Sequence, residues 1–81
     1  MSHDPHQHLV EMANDIGAFF ATGGREHDAA VGGIVDHLQK FWEPRMRRKI
    51  IEHLHQGGAG MDEPVKEAIR RLEAAAAPAV N

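Results

Sequence analysis

Three interruptions govern what this chain can fold into. Thr22-Gly23-Gly24, Pro44 and the run Gln56-Gly57-Gly58-Ala59-Gly60 cut its 81 residues into short segments. Glycines past a helix end take backbone angles that other residues avoid, and the residue before a proline is pushed out of the helical region. Between the breaks, apolar residues recur at helical spacing, and no stretch alternates with the period of a strand. Each segment is too short to persist as an isolated helix in water. Cysteine is absent, so no disulfide can staple the segments together. They must bury one another's apolar stripes, which predicts an all-α fold: a small compact bundle of about four short helices.

The first helix is expected to start at Asp4 as N-cap, with Pro5 at its first position and Gln7 completing a capping box. Its stripe is Leu9, Met12, Ala13, Ile16, Phe19 and Phe20. A second helix opens at Asp28 and carries Val31, Ile34, Val35, Leu38, Phe41 and Trp42. Gly32 and Gly33 each weaken it by roughly 1 kcal/mol relative to alanine, which moves its expected start toward Ile34. Pro44 suits the first position of a third helix bearing Met46, Ile50, Ile51 and Leu54. Asp62 caps a fourth, with Pro64 in its first turn, Val65, Ala68, Ile69 and Leu72 on one side, and Glu67 and Arg71 paired one turn apart. The expected organisation is residues 1–8 as a flexible segment with the first cap, 9–73 as one helical domain and 74–81 as a frayed tail. Phe19, Phe20, Phe41 and Trp42 are the large anchors and are expected in the core. The alternative is that one or two of them project toward a partner.

Composition narrows the function. Without cysteine or tyrosine, and with serine only at Ser2 and threonine only at Thr22, the chain has almost no nucleophile and no thiolate for zinc or an iron–sulfur cluster. No catalytic chemistry of its own is expected. No run of apolar residues is long enough to span a membrane. The first residues lack a basic region followed by an apolar stretch, so a cytoplasmic location is expected. A helical zinc pair needs two histidines four residues apart on one face. None of His3, His6, His8, His27, His37, His53 and His55 is spaced so, and no metal site is expected.

Charge is unevenly spread. Lys40, Arg45, Arg47, Arg48 and Lys49 stand against Glu43 alone, a local +4 in a chain of net charge −3, which leaves −7 on the remainder. An acidic body with one basic segment fits docking on a protein better than coating a nucleic acid. On a helical wheel Arg45, Arg48 and Lys49 share an outer face with Glu52. Arg47 falls in the apolar arc near Ile51 and Leu54, where an unpaired guanidinium is costly. It must meet a carboxylate or the free carbonyls of a helix end. Asp15 and Asp36 are the intramolecular candidates, with a partner's carboxylate or snorkelling to solvent as alternatives. The corner Trp42, Arg45, Arg47 and Arg48 is therefore the expected partner-docking site. Cofactor phosphate is a weaker alternative, because no glycine-rich strand-to-helix turn accompanies the arginines.

The block Phe41-Trp42-Glu43-Pro44-Arg45-Met46-Arg47, preceded by Leu9 to Phe20 and followed by His53, the Gly57–Gly60 loop and Pro64 to Leu72, resembles the delta subunit of NAD-dependent formate dehydrogenases. The resemblance covers roughly residues 9–72. It implies a complex that oxidises formate to carbon dioxide and reduces NAD⁺ at a bis-molybdopterin guanine dinucleotide centre, with iron–sulfur clusters and FMN, all held by larger subunits. For this chain it implies no cofactor and the role of a non-catalytic accessory subunit, supporting assembly or stability and partnered by the large catalytic subunit. The alternative is a maturation factor that assists insertion of the molybdopterin guanine dinucleotide cofactor. In isolation, a chain with such a docking surface is expected to self-associate into a homo-oligomer.

Overall fold

In a computed structural model of the chain, residues 6–23 and 26–76 are described, and all secondary structure among them is helical. Helix α1 spans Gln7–Ala21, α2 His27–Phe41, α3 Pro44–His55 and α4 Glu63–Ala76. The all-α bundle expected from the periodicity is what forms. Helix α4 packs most extensively on α2, and α1 and α3 close the remaining sides. The fully buried side chains Val31, Ile34 and Leu38 of α2, Ile50 of α3, and Val65, Ile69 and Leu72 of α4 form the centre. The fourth helix buries the face its stripe predicts, and Pro44 occupies the first turn of α3 as expected.

Two expectations change. Asp4 and Pro5 lie outside the described residues, and α1 as described begins at Gln7 with His6 in the cap position. Helix α2 does not wait for Ile34. It starts at His27, after an extended Glu26, and runs straight through Gly32 and Gly33. Packing from another helix overrides the propensity here: a Cβ on Gly33 would lie 2.6 Å from the ring of Phe20. The first turn of α2 is also tied down by Asp28, whose Oδ1 accepts a hydrogen bond from the Arg71 guanidinium at 2.5 Å. Arg71 reaches Glu67 as well, at 2.9 Å, so the predicted pair within α4 belongs to a triad that joins two helices.

The buried face of α1 is rotated from the expected one. Leu9 and Ala13 of the expected stripe are buried, but they are joined by Val10 and Gly17, while Met12 and Ile16 are only half-buried. Gly17 sets this rotation, since a Cβ there would come within 2.7 Å of Val65 Cγ2. The bare backbone lets α1 lie close to α4, and the larger residues of its stripe turn aside. Consequently the four aromatic anchors divide. Trp42 is in the core at 5% exposure and Phe20 is half-buried, but Phe19 and Phe41 are 68% and 71% exposed. Consecutive residues of a helix point about 100° apart, so Phe20 turned toward the core leaves Phe19 outside, and Trp42, past the end of α2, turns in while Phe41 stays out.

Candidate docking surface

The corner between α2 and α3 is built by three residues. Trp42 leaves the helix with extended backbone, ψ 137°, and turns its indole into the core. Glu43, also extended, precedes Pro44, whose fixed φ starts α3 at once. Arg47, one turn into α3, then reaches back. Its guanidinium donates to the carbonyls of Leu38 (3.4 Å), Gln39 (3.3 Å) and Trp42, the last turn of α2. The Leu38 carbonyl also accepts from the Trp42 N–H at 3.1 Å, while those of Gln39 and Trp42 lie past the last helical donors; together they carry the negative end of the α2 dipole, which a cation satisfies.

Arg47 therefore takes the helix-end carbonyls and neither carboxylate. Asp36 instead pairs with Lys40 at 3.0 Å on the surface of α2. What remains of the basic segment is Arg45, Arg48 and Lys49, all exposed and without an ion pair among the described residues. The predicted site residues thus separate by position. Trp42 and Arg47 are turned inward and fix the corner, while Arg45 and Arg48 stand out from it.

Two further surfaces stand out, a groove to which no sequence feature pointed and a ledge where two of the four aromatic anchors are exposed, the alternative to a fully buried set. One is a groove of roughly 280 Å³ between the start of α3 and the end of α4, lined by Pro44, Arg47, Arg48, Ile51, Leu72 and Ala76. The other is an aromatic ledge on α1 and α2. Phe19 and Phe20 meet edge to face with centroids 5.3 Å apart, Phe20 lies 6.4 Å from His37, and His37 lies 4.8 Å from Phe41. The available signal for the ledge was the clustering of large residues, Phe19-Phe20 and Phe41-Trp42, at the ends of α1 and α2.

The histidines are placed singly. His53 is buried and its Nε2 donates to the Ala59 carbonyl at 2.8 Å, which fixes the proton on that nitrogen. His6 packs edge-on against it at 5.4 Å and lies 3.9 Å from Glu52. His27 and His55 meet Glu67 and Glu73 at 3.1 and 2.8 Å. His3 lies outside the described residues. Among the described residues no three His, Asp or Glu side chains converge as a metal-ligand set. With no cysteine, the chain has no thiolates to offer a cluster. The hydrogen bond from His27 holds the Glu67 carboxyl below its ordinary range, against the opposing effect of desolvation, and the charges of His27 and Arg71 add to the lowering. The Asp28 hydrogen bond raises Arg71 correspondingly.

Residues 8–69, well over half of the chain, match the family model of the NADH-dependent formate dehydrogenase delta subunit, FdsD. No curated protein matches the chain, and no solved structure does. The matched span includes the whole α2–α3 corner. No helix among the described residues is long and apolar enough to cross a membrane.

Proposed function

We propose that this chain, which belongs to the NADH-dependent formate dehydrogenase delta-subunit family, is a non-catalytic accessory subunit that docks on the large catalytic subunit in the cytoplasm and stabilises the assembled enzyme. On this reading the oxidation of formate to carbon dioxide with reduction of NAD⁺ takes place in the larger subunits. These also hold the bis-molybdopterin guanine dinucleotide, the iron–sulfur clusters and FMN. The observation that carries the reading is the α2–α3 corner. Trp42 and Arg47 spend their side chains on rigidity, and the rigid corner holds out Arg45 and Arg48 with no partner among the described residues. Positive charge in the first turn of a helix is disfavoured by the dipole by a few tenths of a kcal/mol, so Arg45 adds nothing to the stability of α3. Arginine is also among the residues that most often anchor protein interfaces. The aromatic ledge supplies exposed apolar area, and it drives self-association of the isolated chain. Phe19→Ser with Phe41→Ser should abolish that association in sedimentation experiments, and a wild-type chain that is monomeric at high concentration would contradict it.

The test is stoichiometry in the purified enzyme after co-expression. The accessory-subunit reading expects this chain at a fixed ratio to the large subunit through every active fraction. It also expects unchanged cofactor content, with lower stability, when the chain is omitted. If the chain is lost from active enzyme and its omission depletes the molybdenum cofactor, the chain is a maturation factor and the reading fails.

A further inference from the structure

The groove beside the corner indicates what kind of segment the chain receives. Its floor is apolar, made by Pro44 and Ile51 of α3 and Leu72 and Ala76 of α4. Its rim is cationic. Arg48 lines it and has no ion pair, and Arg47 lines it with its guanidinium bonded to backbone carbonyls that bear no full charge. The groove lies between the N-terminal end of α3, whose first turn holds no acidic residue, and the C-terminal end of α4, so the two helix dipoles oppose one another there and the arginines set the sign. Arg45 stands one helical turn before Lys49 on the adjoining exposed row. Arginine charge thus gathers at one end of an apolar slot, from Arg47 and Arg48 on its rim and Arg45 beside it, in a chain whose remainder is acidic.

We infer that the groove between α3 and α4 receives an acidic, apolar-centred segment of the large subunit: a buried leucine, valine or phenylalanine flanked by aspartate or glutamate that pairs with Arg48 and Arg45. This rests on the proposed accessory role and adds the chemistry of the contact. A free anion would leave the apolar floor uncovered. A purely apolar segment would leave the arginines without partners in a closing interface, where desolvated charge needs a counter-charge. A nucleic acid would meet repulsion from the acidic remainder.

Carbodiimide coupling, which joins amines only to carboxylates, tests the inference in the assembled enzyme. Lys49→Arg removes the neighbouring surface amine, and Arg48→Lys places one on the groove rim. After coupling and digestion, the expected product joins position 48 to a carboxylate of the large subunit within a few residues of a large apolar side chain. A link to a carboxylate of this chain or of a second copy, or no link although the chain co-purifies, overturns the inference and leaves the accessory role standing. Ala76→Trp is the second arm. It fills the groove from an exposed position and should weaken binding of the chain to delta-free enzyme at least tenfold. Unchanged affinity overturns the groove assignment. A wild-type chain that does not co-purify with the large subunit at all removes the accessory role itself, and this inference with it.

Discussion

The two corners that flank α3 solve the same problem by different means. At the α2–α3 corner an indole in the core and a guanidinium on three carbonyls lock the turn. At the α3–α4 corner the backbone does more of the work. Gly57, Gly58 and Gly60 take φ of 117°, 64° and 82°, values that side chains with a Cβ rarely adopt. His53 donates to Ala59, and Asn14 from α1 donates to the Gly60 carbonyl at 2.8 Å while accepting from the Asp62 N–H at 3.0 Å. The second corner uses its polar side chains internally and leaves no cation facing outward. The first leaves Arg45 and Arg48 over. The leftover charge separates a turn that only closes the fold from one that also presents something to a partner.

The largest expected effect comes from breaking the first corner. Trp42→Ala removes a buried indole and should cost about 3–5 kcal/mol. A domain of this size has only about 4–12 kcal/mol in total. Thermal unfolding by circular dichroism should show a variant largely unfolded near physiological temperature. Next is Arg47→Met, which keeps the apolar stem and abandons the three carbonyls. Charge-assisted bonds of this kind are worth about 1.5–3 kcal/mol, and a urea midpoint lowered to match is expected. Asn14→Ala cuts the tie between α1 and the second corner. Its groups are exposed and water can replace them, so about 1 kcal/mol is expected in the same measurement. If Asn14→Ala costs more than Arg47→Met, the ranking of the two corners is reversed.

The smallest effect touches neither corner and calibrates both. Glu67 is held below its ordinary pKa by His27, so its contribution is complete above the unfolded carboxylate pKa. It is lost as pH falls through the lower, folded value. Glu67→Gln should therefore lower the melting temperature slightly at neutral pH and flatten its fall at the acid end, so that the two profiles converge there. An identical acid limb in the two proteins would contradict the assignment.

Local signals were legible where local chemistry decides. Pro44 as the start of α3, the glycine loop before Asp62, the buried face of α4 and the Glu67–Arg71 pair all rest on residues within a turn or two of one another. The misses depend on contacts between helices. Gly33 belongs inside α2 because Phe20 of α1 needs the space. Val10 and Gly17 face inward because α1 approaches Val65 there. Once that rotation is set, Phe19 must point out, and no count of apolar residues along α1 contains the angle. Arg47 shows the boundary most sharply. Its position in the apolar arc told that it needed acceptors, but the carbonyls of α2 became those acceptors only through the extended turn at Trp42 and Glu43, which brings α3 back to the end of α2. The α3–α4 groove is invisible for the same reason, since its walls are 21 or more residues apart in the chain.

The central claim is that the first corner is rigid so that Arg45 and Arg48 can dock. The most direct measurement is co-purification of the Arg45→Ala, Arg48→Ala double variant with the large subunit, alongside its thermal unfolding. Both side chains are exposed and unpaired, so stability should stay within about 0.5 kcal/mol of wild type and the helical circular dichroism should be unchanged. The fraction retained on the large subunit should fall sharply, and more so as salt is raised. A double variant that is equally stable and still assembles into active enzyme at the wild-type ratio would contradict the account and place docking elsewhere on the chain.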